Sequence, residues 1–319
     1  MATKAVFLDY ATMGSGVDTS QLTALLPDLE FFDTTNPDQV AERIADAEFV
    51  FTNKVRIFGE LISQASALRF IGLVATGTDN IDLETARSNS VAVSNTRGYA
   101  TQSVTEHVFG LLLMLARNLH HYANSVRDGA WQTASVFSMH NFPIRELSSM
   151  TMGIVGYGEL GQSVARKARE FGMNVIVCAR PGTDEVPDDR VSFDDLLQQS
   201  DVISLHSPLT DATHELFRAE QFARMKPSAI LINTARGALV ESAALVEALS
   251  TGQIAAAAID VLPKEPPVDG NPLLDYDGDN LVITPHIAWA SGRARQECLD
   301  QLAENVDAFL KGEELRRVV

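Results

Sequence analysis

Four stretches of this 319-residue sequence hold residue types that do chemistry at informative spacings. Gly156-Tyr157-Gly158-Glu159-Leu160-Gly161 follows an apolar run and precedes a helical pattern over residues 162–171. Between strand and helix, glycines so spaced suit a dinucleotide: the first permits a tight turn, the second lets the backbone approach a pyrophosphate, and the third lets the helix pack on the sheet. The helix start adds free N–H groups and partial positive charge. Arg236 in Asn233-Thr234-Ala235-Arg236-Gly237, Glu265 in Asp260-Val261-Leu262-Pro263-Lys264-Glu265-Pro266-Pro267 and His286 in Thr284-Pro285-His286-Ile287-Ala288-Trp289 each follow an apolar run. Hydride transfer to a 2-oxo acid needs a planar cation for the carboxylate, a titratable acid for the carbonyl oxygen, and a neighbour that tunes the acid. Arg236 suits the first role and His286 the second. Glu265 suits the third, because a nearby carboxylate favours the imidazolium form.

Folds that bind NAD usually carry Asp or Glu about 20 residues beyond the glycine turn, where it holds the ribose hydroxyls. Here the segment reads Val175-Ile176-Val177-Cys178-Ala179-Arg180-Pro181-Gly182, with no acid before Asp184. Ala179 occupies the acidic position and Arg180 follows it. An arginine there accommodates the additional phosphate of NADP; otherwise it is an ordinary surface arginine. NADP is the expected cofactor, with NAD as the alternative.

Short apolar runs alternate with amphipathic stretches through most of the chain. Ala5-Val6-Phe7-Leu8, Phe49-Val50-Phe51, Phe70-Ile71-Gly72-Leu73, Val91-Ala92-Val93, Gly153-Ile154-Val155, Val175-Ile176-Val177, Val202-Ile203-Ser204-Leu205, Ala229-Ile230-Leu231-Ile232 and Leu281-Val282-Ile283 read as strands. Residues 37–46 and 242–250 have helical spacing. Such alternation, with strands that are apolar throughout, predicts an α/β fold of two Rossmann-like or flavodoxin-like parallel-sheet domains. A long helix is expected over residues 101–127, then an irregular polar stretch over 128–149. A last helix over 291–311 could return to the first domain and make it discontinuous. The expected division is 1–100 plus 291–319 for substrate and 101–290 for the dinucleotide. The active loops then leave the C-terminal ends of strands, where open α/β sheets bind ligands.

Composition narrows the partners. With 25 Lys and Arg against 42 Asp and Glu, the net charge is −17; nucleic acid and anionic membranes are repelled. At 45% hydrophobic and 21% charged, the chain can bury a large core. Residues 1–10 lack the apolar run of a signal peptide, and the longest apolar stretch, residues 108–116, is far short of the ~20 residues of a membrane span. Cys178 and Cys298 give no disulfide framework, so a reducing, cytoplasmic setting is expected. No metal is expected. His120 and His121 are adjacent and cannot share one helix face, Glu106-His107 lacks the second histidine of a zinc helix, and His140, His206 and His214 have no supporting cluster. Lys311, Arg316 and Arg317 alternate with Glu313 and Glu314 and read as a solvated tail.

The ordered motifs together resemble the D-isomer-specific 2-hydroxyacid dehydrogenases. The likeness extends into the N-terminal half. Ala75-Thr76-Gly77-Thr78-Asp79-Asn80-Ile81-Asp82 resembles that family's substrate loop, and Ser103-Val104-Thr105-Glu106-His107 resembles the start of its interdomain helix. Phe142-Pro143-Ile144-Arg145-Glu146-Leu147 and Asn271-Pro272-Leu273-Leu274 resemble its glycerate dehydrogenase branch, also called hydroxypyruvate or glyoxylate reductase. The resemblance implies Arg236 as substrate anchor, His286 as acid/base and Glu265 as its partner. It implies cofactor contacts at Thr76, Thr105, Gly156, Gly158, Glu159, Leu160, Gly161, Arg180, Ser207, Thr234, Asp260 and His286. Backbone groups near Ala75, Thr76 and Gly77 would take the substrate carboxylate, with Trp289 close by. A homodimer built through the helix after Thr101, and an active site between domains that closure shields from water, are implied as well.

Two positions stay open: Lys54 either helps bind substrate or is solvated, and Asp260 either orients the nicotinamide amide or merely ends a strand. The expected activity is NAD(P)H-dependent reduction of hydroxypyruvate and glyoxylate to D-glycerate and glycolate. Phosphoglycerate dehydrogenase or another D-2-hydroxyacid dehydrogenase is the alternative; with 33 residues after His286 no appended regulatory domain is expected, though some relatives lack one. Glu265 argues against a formate-oxidising relative. A dinucleotide-sensing, corepressor-like binding protein is the alternative of another class, and it would be marked by a partner surface or a long tail.

Overall fold

The computed structural model describes residues 3–180 and 186–319, so Asp184 lies outside the described residues. The chain divides into two compact units, Met1–Ala100 with Trp289–Val319, and Thr101–Ala288. Each is built on one sheet of parallel strands, the α/β architecture that the strand–helix alternation predicts.

In the first unit, β1 (Ala5–Phe7), β2 (Leu29–Phe31), β3 (Phe49–Thr52), β4 (Phe70–Leu73) and β5 (Ala92–Ser94) lie in the order β2-β1-β3-β4-β5. Successive side chains point to opposite faces, and both faces are covered. Val6, Val50, Ile71 and Val93 enter one apolar cluster, while Phe7, Phe49, Phe51 and Phe70 enter the other. The terminal helix, Gly292–Leu310, returns to this unit and fills the aromatic side with Cys298, Leu299, Leu302 and Val306. Phe309 packs 4.9 Å from the ring of Phe70. Ser291 starts the helix by accepting a hydrogen bond from the Ala294 N–H. Strand β2 was not expected from the sequence: it is a three-residue edge strand, only partly buried, with Glu30 exposed.

In the second unit, β6 (Thr151–Val155), β7 (Asn174–Val177), β8 (Val202–Leu205), β9 (Ile230–Asn233), β10 (Ala256–Ile259) and β11 (Leu281–Ile283) lie in the order β11-β10-β9-β8-β6-β7. From β6 the chain first steps outward to β7, then crosses back to β8. The crevice beside β6 is therefore a topological switch point, where such sheets bind ligands.

Two expectations need correction. The helix predicted over residues 101–127 is two helices, Thr101–Ala116 and Leu119–Arg127. Asn118 breaks it with φ of 51°, a left-handed conformation that asparagine tolerates, and its Nδ2 donates to the Pro143 carbonyl at 2.6 Å. The C-terminal residues are not a solvated tail. Val318 N–H donates to Val93 O at 2.7 Å, Val93 N–H to Val319 O at 3.1 Å, and Arg317 bridges antiparallel to Ser94, so the chain end covers the free edge of β5. Arg316 is held there by Glu304 at 2.6 Å and Asn305 at 3.0 Å.

Gly72 in β4 lets the terminal helix approach. A Cβ on Gly72 would collide with Leu302 Cδ1 and stand 2.8 Å from Phe51 Cδ1, and both of those side chains are fully buried. Gly72→Ala is expected to destabilise the protein by about 1–3 kcal/mol through overpacking, read as a lower denaturation midpoint. An unchanged midpoint would show that this packing yields freely.

Candidate active site

The register of the second sheet aligns Val155, Leu205, Asn233, Ile259 and Ile283 across five neighbouring strands. One residue farther along each strand come Gly156, His206, Thr234, Asp260 and Thr284. The segments singled out from the sequence thus leave the sheet along one edge.

At the switch point Gly156 has φ of 90°, and a Cβ on it would stand 2.6 Å from the carbonyl of His206 and from the N–H nitrogen of Ser207. Gly161 is equally constrained, since its Cβ would collide with the Gly156 carbonyl oxygen. Around Gly158 nothing lies within 4 Å of a built Cβ. Two glycines therefore pack turn against sheet and helix, and the middle one borders open space. The helix Glu159–Glu170 starts directly after Gly158, three residues earlier than expected, so its first N–H groups belong to the turn. Glu159 is exposed and hydrogen-bonded by the Thr101 hydroxyl, and Leu160 is half-buried. Ser207 is buried beside Gly156.

Beyond β7, Ala179 is buried and its N–H donates to Val191 O at 2.8 Å, while Arg180 is exposed. The residue before Val191 is Arg190, which sequence reasoning missed. Its guanidinium carbon lies 4.6 Å from the ring centre of Tyr157 in the glycine turn, and its Nη1 is 2.8 Å from Asp189. The only hint in the sequence was an arginine a few residues from the next apolar run.

Arg236, Glu265 and His286 leave β9, β10 and β11, which are adjacent. The Asn233 side chain staples the first loop, accepting from Ala235 N–H at 3.0 Å and donating to Arg236 O at 2.9 Å. Gly237 seats that loop on the next one: a Cβ there would collide with the Leu262 carbonyl carbon and the Pro263 nitrogen. Arg236 is half-buried and donates to the Ala235 carbonyl at 2.8 Å. Glu265 lies 2.5 Å from His286 Nδ1 through Oε2, while its Oε1 accepts from Leu262 N–H at 2.8 Å. The pair is partly open to solvent, with side chains 25% and 32% exposed for His286 and Glu265. His286 itself is held at φ of 55°. Asp260, 1% exposed, accepts from Thr284 Oγ1 at 2.5 Å, Ile287 N–H at 2.9 Å and Ala288 N–H at 2.9 Å. Its carboxylate is engaged with the loop that carries His286.

Thr105 is 1% exposed, its hydroxyl bonded to Thr101 O and Ser163 Oγ, so the structure places it in the packing between two helices. In the first unit, Lys54 is exposed on the loop after β3. Ala75, Thr76 and Gly77 follow β4, with Thr76 tied to Thr96 O at 2.9 Å and to Asn95 Nδ2 through its carbonyl at 2.7 Å. Trp289 packs edge-on to Tyr99, 6.3 Å between ring centres. Asp9 carries no local signal in the sequence. Its buried carboxylate accepts from the N–H groups of Asn53 at 2.9 Å, Lys54 at 2.7 Å and Val55 at 3.3 Å, shaping the loop that presents Lys54.

The NAD binding domain family of D-isomer specific 2-hydroxyacid dehydrogenases matches residues 109–288. The chain belongs to that family. A glycerate dehydrogenase from Methylorubrum extorquens is 44% identical over 313 residues, 98% of either chain. Among solved structures, an acyclic imino acid reductase in complex with NADPH and D-Arg has a TM-score of 0.86 at 28% identity, covering 99% of this chain and 100% of that one. A D-lactate dehydrogenase from Aquifex aeolicus, complexed with NAD and lactic acid, has a TM-score of 0.83 at 28% identity, covering 97% and 96%. This chain is thus an oxidoreductase of the 2-hydroxyacid dehydrogenase kind with an NAD-binding domain.

The sheet edge fits such a cofactor. Thr234 Oγ1 and His206 Nδ1, both on the aligned row, are buried without a hydrogen-bond partner, and buried polar atoms are normally satisfied. Among the described residues, no group of three or more His, Cys, Asp or Glu side chains could hold a metal ion, and no helix is long and apolar enough to cross a membrane.

His206 also makes a pH prediction. Burial pushes its imidazole from the ordinary 6.5 down to about 4, so the folded protein keeps the ring neutral where the unfolded chain protonates it. The unfolded state then holds the extra proton between about pH 6.5 and 4, and folding stability falls as pH falls through that window. His206→Gln should flatten this part of the stability–pH curve in denaturant titrations. A variant with the wild-type slope would contradict the assignment.

Proposed function

We propose that this dehydrogenase reduces a short 2-oxo acid, hydroxypyruvate and also glyoxylate, to D-glycerate and glycolate, with NADPH preferred over NADH. The observation that carries the reaction is the 2.5 Å contact between Glu265 and His286, whose loops leave the adjacent strands β10 and β11. The reduced nicotinamide, when bound, supplies the hydride to the carbonyl carbon. Arg236 grips the carboxylate and the carbonyl oxygen with its planar fork. Glu265 holds the proton on His286 Nδ1 and fixes the ring, so that Nε2 delivers its proton to the oxygen as charge develops there. In the reverse direction the same nitrogen takes the proton back.

Cofactor contacts are assigned to the glycine turn, Ser207, Thr234 and Asp260, and in the first unit to Thr76. Backbone groups at Ala75, Thr76 and Gly77, with Lys54 and Trp289, are assigned to substrate. The NADPH preference rests on the buried Ala179 in place of an acid, and on Arg180 and Arg190 on either side of the Ala179–Val191 hydrogen bond. A 2′-phosphate would meet two guanidinium groups, one already resting on Tyr157 of the glycine turn.

The working form is proposed to be a cytoplasmic homodimer. Trp131, Val136, Phe137 and Ile144 leave large apolar surfaces exposed in the segment after Arg127, a pattern that marks interaction sites. The two cysteines are unpaired, as a reducing compartment requires.

The test is a panel of NADPH and NADH against hydroxypyruvate, glyoxylate, pyruvate and 3-phosphohydroxypyruvate, followed by loss of nicotinamide absorbance. The expected result is fastest turnover with NADPH and hydroxypyruvate. Arg180→Ala and Arg190→Ala should each raise KM for NADPH about tenfold while leaving that for NADH within about twofold, the loss of one charge-assisted phosphate contact. Equal effects on both cofactors would remove the 2′-phosphate assignment. Preference for the phosphorylated acid would move the substrate to phosphoglycerate chemistry.

A further inference from the structure

His286 sits in a left-handed backbone conformation that a non-glycine residue holds only when its surroundings enforce it. The enforcing contacts come from a helix as well as from the sheet. Two residues one turn apart on the helix Thr101–Ala116 reach the two ends of the loop that carries His286. The Ser103 hydroxyl donates to Ala288 O at 2.7 Å, and His107 Nε2 lies 3.1 Å from Thr284 Oγ1.

Proton accounting fixes the direction of the second contact. Thr284 has one hydroxyl hydrogen, and Asp260 Oδ1 stands 2.5 Å from that oxygen. A carboxylate cannot donate, so the threonine hydrogen lies between them. Thr284 Oγ1 then only accepts from His107, whose Nε2 must carry a hydrogen. The same Nε2 is 3.6 Å from Asp260 Oδ1. His107 therefore completes a chain running from helix to threonine to buried carboxylate. That carboxylate fixes Ile287 N–H and Ala288 N–H, and the Asp260 carbonyl accepts from His286 N–H at 2.8 Å.

We propose that Ser103 and His107 form a clamp that positions the catalytic His286, with His107 acting through Thr284 and Asp260. Neither residue needs to touch substrate. Their helix face is set by buried neighbours, Val104, Thr105 and Val108, so the clamp references the loop to a rigid element. With His107 removed, Thr284 can rotate away from Asp260, and the loop loses the contact that selects one backbone conformation for His286. Misplacement of a reacting group by about 1 Å lowers a rate on the order of a hundredfold.

The proposal builds on the dehydrogenase activity and uses whichever 2-oxo acid the wild-type enzyme reduces, so failure of the hydroxypyruvate assignment leaves this test intact. His107→Leu, Thr284→Val, their double variant and His107→Gln are measured as purified enzymes, with turnover normalised to folded protein. The expected result is a fall in kcat of ten- to a hundredfold for His107→Leu and Thr284→Val, with KM for substrate within about twofold. The double variant falls no further than the worse single one, because both remove the same contact. His107→Gln, whose amide can still donate to Thr284, recovers most of the rate. Unchanged kcat in His107→Leu, or multiplicative losses in the double variant, overturns the clamp. A loss of stability alone, with normal turnover per folded molecule, reduces His107 to packing and overturns it too. Should His107→Leu not fold, Thr284→Val and His107→Gln carry the same comparison.

Discussion

The buried carboxylate of Asp260 is the interaction on which the proposed catalytic edge depends. A charge removed from water persists only when donors surround it, and here the donors all belong to the loop after the next strand: one hydroxyl and two N–H groups. Satisfying the charge and shaping the loop are one event. His286 is carried into its left-handed conformation, its Nδ1 meets Glu265, and its other ring nitrogen is left for chemistry. An asparagine at 260 would keep the volume but offer a donor where two acceptors are required.

The first unit uses the same device with a different outcome. Asp9 follows β1, beside the point where the chain order reverses, and accepts from three successive N–H groups after β3. Such a set of N–H groups is the usual cradle for a phosphate in a doubly wound sheet. In this unit the protein's own carboxylate fills it. In the second unit the equivalent crevice is lined by Gly156 and Gly158, with open space at the middle glycine. Two sheets of related topology thus differ in whether the switch point is closed by an aspartate or left for a ligand.

Much of the architecture was legible in the sequence because parallel strands, covered on both faces, are written as uninterrupted apolar runs. The glycine turn, Arg236, Glu265 and His286 stood out because their side-chain types are tied to particular chemistry and recur in one order. What stayed hidden has physical reasons. Strand β2 is a short edge strand with an exposed Glu30, so it carries no continuous apolar signal. The break at Asn118 is invisible to periodicity, since apolar residues continue on either side of it. The chain end reads as polar because the partners of Arg316, Glu304 and Asn305, lie on the terminal helix and not in the tail itself. Asp9, Arg190 and the clamp residues act through partners tens to hundreds of residues away, which no local pattern encodes. The likeness to known dehydrogenases supplied the role of Thr105, and the packing puts that side chain between helices.

The central claim is that His286, held by Glu265, delivers the proton that accompanies hydride transfer. Single-turnover stopped flow tests it most directly, with enzyme in excess over the reduced cofactor and saturating 2-oxo acid, comparing wild type with His286→Ala and Glu265→Gln. The account predicts that the first-order loss of nicotinamide absorbance slows by about a hundredfold to ten-thousandfold in His286→Ala, the usual worth of a positioned acid, and by a smaller factor in Glu265→Gln, with cofactor affinity unchanged in Glu265→Gln. Loss of absorbance at the wild-type rate in His286→Ala would contradict it and place the proton donor elsewhere.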